Sequence, residues 1–245
     1  TLGARPTGPV SEPLPVTPHA TLYLTASVGA TQFAEGAGTL VELVRQADLA
    51  THRAKRNGRN GAYVFGSELR EALNDRLALG GRLRSAISRG EFLLHYQPQV
   101  DARDGSIVAV EALVRWNSPE FGLLPPRRFV PVAEDSGVIV QLGLHILETA
   151  CRQARAWMDA RLPRFLVSVN VSAAQIQRPS FVTDVRRVIH ETGVAPGMLE
   201  LEITESVLMD NTDRAIEQLR QLKAIGVRLA LDDFGMGYSS LGYLR

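Results

Sequence analysis

The sequence has a single cysteine, Cys151, in 245 residues. An internal disulfide is therefore impossible, and a thiolate zinc cluster would need ligands from outside the chain. That scarcity fits a reducing, cytoplasmic setting. Long apolar runs are also missing: the most apolar stretch, 138–147, is interrupted by Gln141 and His145 and is too short to span a bilayer. No charged-then-apolar signal segment opens the chain. Charge of one sign is absent too, since a formal net charge of +1 gives no broad pull toward DNA, RNA or acidic membranes. A polyanionic partner would need a local basic site. Hydrophobic residues at 45% and charged residues at 22% remain, an ordinary balance for a chain that can build a core.

Residues 1–19 are rich in proline (Pro6, Pro9, Pro13, Pro15, Pro18) and are expected to form a linker or loop. A strand-like run, 22–30, follows and ends in glycine. Leu43, Ala47, Ala50 and Ala54 then recur at helical spacing over 41–56, with Asn57-Gly58 as a stop. A short strand, 62–65, leads into an amphipathic helix over 67–89, expected to connect two domains with Leu69, Leu73, Leu77 and Leu83 on its apolar side. From Glu91 onward strands and helices alternate. Strands are predicted at 92–100, 107–116, 165–171, 199–204 and 227–231, and helices at 127–134, 138–160, 173–177, 181–192 and 212–225. The last three strands recur roughly every thirty residues, the length of a strand–helix unit with parallel strands. The expected fold is α/β, either a barrel or an open doubly wound sheet.

Side chains alternate across a strand, so parity sorts the polar groups by face. Ile107, Ala109, Glu111, Leu113 and Arg115 share one face. Asn170 lies opposite the row of Val167, Val169 and Val171, and Glu202 opposite Leu199, Leu201 and Ile203. Asp232 lies opposite Val227, Leu229 and Leu231, with Asp233 next. Taken singly, a strand glutamate is ordinarily solvated or salt-bridged, and Asp232-Asp233 before Phe-Gly reads as a turn. Together, oxygen-bearing side chains end successive strands, where parallel α/β barrels place their active sites. Carboxylates converging there repel one another unless a cation neutralises them. The candidates are all hard oxygen donors and none of the five histidines joins them, which favours Mg²⁺ or Mn²⁺. Adjacent Asp232 and Asp233 suit a pair of ions, an arrangement able to hydrolyse a phosphodiester. Arg115 is placed to grip a phosphate. Spacing points to metal-assisted phosphate-ester chemistry without naming the ester.

Over 91–245 the order Tyr96-Gln97-Pro98, Glu111-Ala112-Leu113-Val114-Arg115-Trp116, Ser168-Val169-Asn170-Val171-Ser172, Glu202-Ile203-Thr204-Glu205 and 232–240 closely resembles the EAL family of cyclic di-GMP phosphodiesterases. The resemblance implies a TIM-like (β/α) barrel whose first strand runs antiparallel to the rest. It implies that Glu111, Asn170, Glu202 and Asp232 bind one metal, that Asp232 and Asp233 serve a second, and that Glu205 braces the loop 233–239. It further implies that Gln97, Leu113 and Arg115 contact the substrate, that the product is linear pGpG, and that the domain pairs as a homodimer.

The stretch 21–65 resembles the end of a GGDEF domain through Ala26-Ser27-Val28-Gly29, Ala47-Asp48-Leu49-Ala50 and 54–60, although Thr51 and His52 depart from that family's usual Met and Tyr. Lys55 and Arg59 would then meet nucleotide phosphates, or else form a solvated basic helix end. The family's signature loop is absent, so no cyclase activity is assigned. The expected organisation is linker 1–19, GGDEF-like segment 20–66, connecting helix 67–89 and EAL-like barrel 90–245. The chain lacks an initial methionine and stops after Gly242-Tyr243-Leu244-Arg245, so it reads as a fragment. Later barrel strands would carry further catalytic groups, and this span alone is expected to be inactive. A catalytically silent cyclic di-GMP receptor and a scaffold domain remain alternatives.

Overall fold

The computed structural model describes residues 13–17, 20–32, 39–56, 58–204 and 212–232. The chain divides into two compact units, Thr1–Leu77 and Ala78–Arg245.

In the first unit, β1 (Leu14–Thr17) pairs antiparallel with β2 (Ala20–Leu22), and β3 (Val28–Thr31) pairs parallel with β4 (Ala62–Phe65). Helix α1 (Leu40–Arg56) packs on β3 and β4 and buries Ala50 and Ala54. Gly29 permits this approach: a Cβ there would sit 2.1 Å from the Ala47 carbonyl oxygen and 2.2 Å from the Thr51 nitrogen. Both obstacles are backbone and cannot swing aside, so only glycine fits. Two expectations need correcting. The proline-rich start contains a strand, β1, which tolerates Pro15 because a two-stranded ribbon leaves outward N–H positions unused. The run 22–30 is not one strand, since 23–27 carry no regular structure between β2 and β3.

Helix α2 (Ser67–Ser88) spans the division between the units. Its buried face is Leu79, Leu83 and Ala86, whereas Leu77 is 65% exposed. The leucine spacing of four that pointed to Leu77 drifts around a 3.6-residue helix, and the stripe moves on to Leu79.

The second unit is built on a sheet ordered β10-β9-β8-β6-β5. Its strands are β5 (Phe92–Val100), β6 (Ile107–Ser118), β8 (Leu166–Val171), β9 (Leu199–Thr204) and β10 (Arg228–Asp232). β5 runs antiparallel to β6, and β6, β8, β9 and β10 are mutually parallel, as the resemblance implied. A short strand, β7 (Gly122–Leu124), pairs with the end of β6 and was not anticipated, because three residues carry no periodicity. The helices are α3 (Pro126–Asp135), α4 (Ile139–Asp159), α5 (Ala173–Ile176), α6 (Phe181–Thr192) and α7 (Thr212–Ile225). Pro126 opens α3, where its missing N–H costs nothing, and Gly193 closes α6 at φ 66°.

One face of the sheet packs against these helices. Val110, Ala112, Val114 and Trp116 of β6, the three valines of β8, and Leu199, Leu201 and Ile203 of β9 are buried in one core with Leu142, Ile146 and Ala150 of α4 and Val185 and Val188 of α6. This apolar side fixes which side chains must face the opposite way. Cys151 on α4 is 1% exposed, and burial, against the pull of Arg152 and with a small addition from Glu148, pushes its thiol up to about 12. At about pH 8 only about one thiol in ten thousand would then be the reactive thiolate. Iodoacetamide is expected to leave the native chain unmodified and to add one carbamidomethyl group after unfolding in guanidinium, as read by intact mass. Rapid labelling of the folded protein would contradict the buried placement. Among the described residues no helix is long and apolar enough to cross a membrane.

Candidate active site

The polar row lies on the sheet face opposite the helix-packed core. Along β6 the buried residues Val110, Ala112, Val114 and Trp116 alternate with partly exposed Glu111, Leu113 and Arg115. Strand register carries that parity across the sheet: Gln97 pairs with Glu111, Glu111 with Ser168, Ser168 with Glu200, and Glu200 with Arg228. One rung nearer the C-terminal ends, Asn170 pairs with Glu202 and Glu202 with Ala230; beyond that Thr204 pairs with Asp232. Glu111, Asn170, Glu202 and Asp232 therefore share one face and approach one end.

Two of these side chains touch. The Asn170 amide Nδ2 donates to Glu111 Oε1 at 2.7 Å, although 59 residues separate the two in sequence. The Ser168 hydroxyl donates to Glu200 Oε1 at 2.8 Å. Half-buried Glu202 has its carboxyl held above the usual range, first by loss of water and then by the charge of Glu111; Asp232 and Glu200 add to this, against the opposing effect of the polar Ser168 hydroxyl. That pattern is the signature of carboxylates crowded without a counter-charge. Gln97 is exposed beside Glu111, and Leu113 is partly buried two residues along β6. The Arg115 guanidinium donates to the Val114 carbonyl at 2.9 Å. Among the described residues no carboxylate forms an ion pair with it.

Glu205, Asp233 and the loop 233–239 lie outside the described residues. Among the described residues no three His, Cys, Asp or Glu side chains are drawn around one point as a ready metal cage. The donor set nevertheless fits a hard divalent cation: three carboxylates and one amide oxygen, all on one face, with like charge that a cation would relieve. A cavity of about 650 Å³ sits elsewhere, at the N-terminal ends of the parallel strands between Gln99, Ala109, Leu166, Glu200 and Arg228. Crowded acids mark the chemical end of a barrel better than volume does. Sequence reasoning overlooked the Ser168–Glu200 pair, although both residues share the parity of Asn170 and Glu202.

The sequence profile of the EAL domain matches residues 81–245. The chain belongs to the EAL domain family. It is 40% identical over 236 residues to the bifunctional diguanylate cyclase/cyclic di-GMP phosphodiesterase MucR of Pseudomonas aeruginosa, covering 96% of this chain and 34% of that protein. It is 43% identical over 225 residues to the cyclic di-GMP phosphodiesterase NbdA of the same organism, covering 92% of this chain and 29% of NbdA. The solved complex of the PaMucR phosphodiesterase with c-di-GMP superposes at a TM-score of 0.65 with 44% identity, covering 68% of each chain. The chain thus spans about a third of the length of these curated relatives. Its EAL domain has the TIM-like barrel architecture of the family, with the acidic row at the C-terminal strand ends.

Proposed function

We propose that this EAL domain hydrolyses cyclic di-GMP to linear pGpG with two divalent cations, Mg²⁺ or Mn²⁺. The observation that carries this reading is the placing of Glu111, Asn170, Glu202 and Asp232 on one sheet face, with Asn170 bonded to Glu111. The relatives named as cyclic di-GMP phosphodiesterases supply the substrate. The first ion falls to those four residues, and the second to Asp232 with Asp233. When bound, such a pair activates water and stabilises the leaving oxygen of an in-line displacement.

The protein's own groups do the rest. Asn170 would hold the ion through Oδ1 rather than Nδ2, a reversal of the amide that leaves the side chain in the same volume. Arg115 carries a positive charge unneutralised by any described carboxylate and offers it to a phosphate oxygen. Gln97 and Leu113 flank Glu111 and line the approach of the nucleotide. By likeness to the family, Glu205 would brace the loop 233–239, and that loop would couple the site to a second copy of the domain; these residues lie outside the described ones. We read residues 20–66, within the first unit, as the tail of a GGDEF domain: the alignment with MucR extends over 96% of this chain, well upstream of residue 81, and β3, α1 and β4 form one packed strand–helix–strand element.

The test is chromatography of full-length protein incubated with cyclic di-GMP under Mg²⁺, Mn²⁺ or Ca²⁺. Linear pGpG is expected with Mg²⁺ or Mn²⁺, and binding without cleavage with Ca²⁺. Binding in every ion without product would mark a receptor. Absence of both binding and product would overturn the reading.

A further inference from the structure

We propose that His95 is a substrate-binding residue of this site, its imidazole N–H holding the phosphodiester of the cyclic dinucleotide that is not being cut. The inference rests on the phosphodiesterase reading above and gives His95 no part in holding a cation.

On β5 the residues Phe92, Leu94 and Tyr96 turn to the helix-packed core, with the Tyr96 ring 4.8 Å from that of Trp157. Alternation therefore puts Leu93, His95 and Gln97 on the other face, the one that carries the acids. His95 is exposed there. It stands directly opposite Leu113, with the Gln97–Glu111 pair on one side and the Leu93–Arg115 pair on the other. Ala112 pairs with Val169, so Leu113 and Asn170, one residue on, bring His95 level with Asn170 and Glu202. Three strand spacings, about 14 Å along the sheet, separate it from β9. Among the described residues its imidazole has no hydrogen bond or ion pair. Mg²⁺ and Mn²⁺ prefer oxygen ligands, so this nitrogen suits the cation point poorly. An imidazole does offer an N–H donor in either protonation state. A cyclic dinucleotide has two phosphodiesters, and the cations answer the charge of only the one they help to cut. The other brings a negative charge to a face lined by Glu111 and Glu202, and it needs a donor on the side away from them. Arg115 and His95, diagonal neighbours across β6 and β5, supply that side.

The experiment compares full-length variants in three measurements: hydrolysis of cyclic di-GMP in Mg²⁺, binding of labelled cyclic di-GMP in Ca²⁺, and Mn²⁺ affinity from the electron paramagnetic resonance of the free ion. His95→Ala is expected to raise KM, and Kd in Ca²⁺, about tenfold, the loss of one hydrogen bond to a charged group. Its kcat should stay within about twofold, because a contact to the uncut phosphate is made equally before and during the reaction. Mn²⁺ affinity and melting temperature should not change, since the side chain is exposed and holds no ion. His95→Gln keeps an N–H donor and is expected to recover KM to within about threefold of the wild type. His95→Phe keeps a flat ring without a donor and is expected to match His95→Ala. Recovery by phenylalanine would overturn the inference, because ring packing would then suffice. So would unchanged KM and Kd in His95→Ala, or a fall in Mn²⁺ affinity, which would move His95 to the cations. A wild-type protein that neither binds nor cuts cyclic di-GMP would overturn the phosphodiesterase reading and this inference together.

Discussion

Glu111→Gln is expected to lower turnover of cyclic di-GMP by about a thousandfold or more, equivalent to about 4 kcal/mol of transition-state stabilisation. The substitution keeps shape and an acceptor oxygen, so Asn170 Nδ2 still has a partner in place of the 2.7 Å bond to Glu111 Oε1. What it removes is one negative charge from a site where Glu111 is the foremost charged neighbour of Glu202. Removing that charge lets the Glu202 carboxyl fall back toward its ordinary range, so Glu202 ionises more readily. The loss therefore cannot be ascribed to a protonated Glu202. Melting temperature should change little, while Mn²⁺ affinity and kcat should fall together. A variant that kept wild-type kcat would remove Glu111 from the ligand set.

Trp116→Ala is expected to cost about 3–5 kcal/mol of stability. The indole is 0% exposed, its ring centroid 5.5 Å from that of Phe92 and 5.8 Å from that of Phe129. Its Nε1 donates to Glu91 Oε2 at 2.9 Å, and the Glu91 side chain is only 9% exposed. Truncation thus opens a cavity and also strips one donor from a nearly buried carboxylate, which keeps only Arg89 at 2.8 Å. Trp116→Phe separates the two costs: it retains most of the packing and is expected to lose about 1.5–3 kcal/mol, the range for a hydrogen bond to a charged group. Urea unfolding of both variants checks the difference. Unchanged stability in Trp116→Phe would mean that the Glu91 bond contributes nothing, and losses equal to those of Trp116→Ala that the cavity does not.

The shared face of Glu111, Asn170, Glu202 and Asp232 was legible in the sequence because alternation along a strand is a strict rule. Once Val110, Ala112 and Val114 are assigned to a core, Glu111 and Arg115 have to face the other way, and the register then aligns Asn170 with Glu202. Order along the chain also fixed the sheet, since β6, β8, β9 and β10 are joined by helical crossovers. What stayed hidden were features without a period. β7 is three residues long, and β1 lies in a segment whose prolines suggest a loop. The buried stripe of α2 was misplaced at Leu77 because leucine alone does not specify a helix face. The Ser168–Glu200 bond was hidden for a different reason: parity says which side chains share a face, but not which of them touch.

The reversed direction of β5 sets where the polypeptide enters the barrel. Phe92, at the start of β5, stands opposite Trp116, next to Arg115 and at the rim to which the acids point. Glu91, one residue earlier, accepts a bond from the Asn117 nitrogen at 2.8 Å as well as from the indole. Had β5 run parallel to its neighbour, that doorway would open at the far end, about 25–30 Å away along a nine-residue strand. As built, the leading stretch of the barrel is fastened beside Trp116 and Asn117, near the end of β6 rather than its beginning.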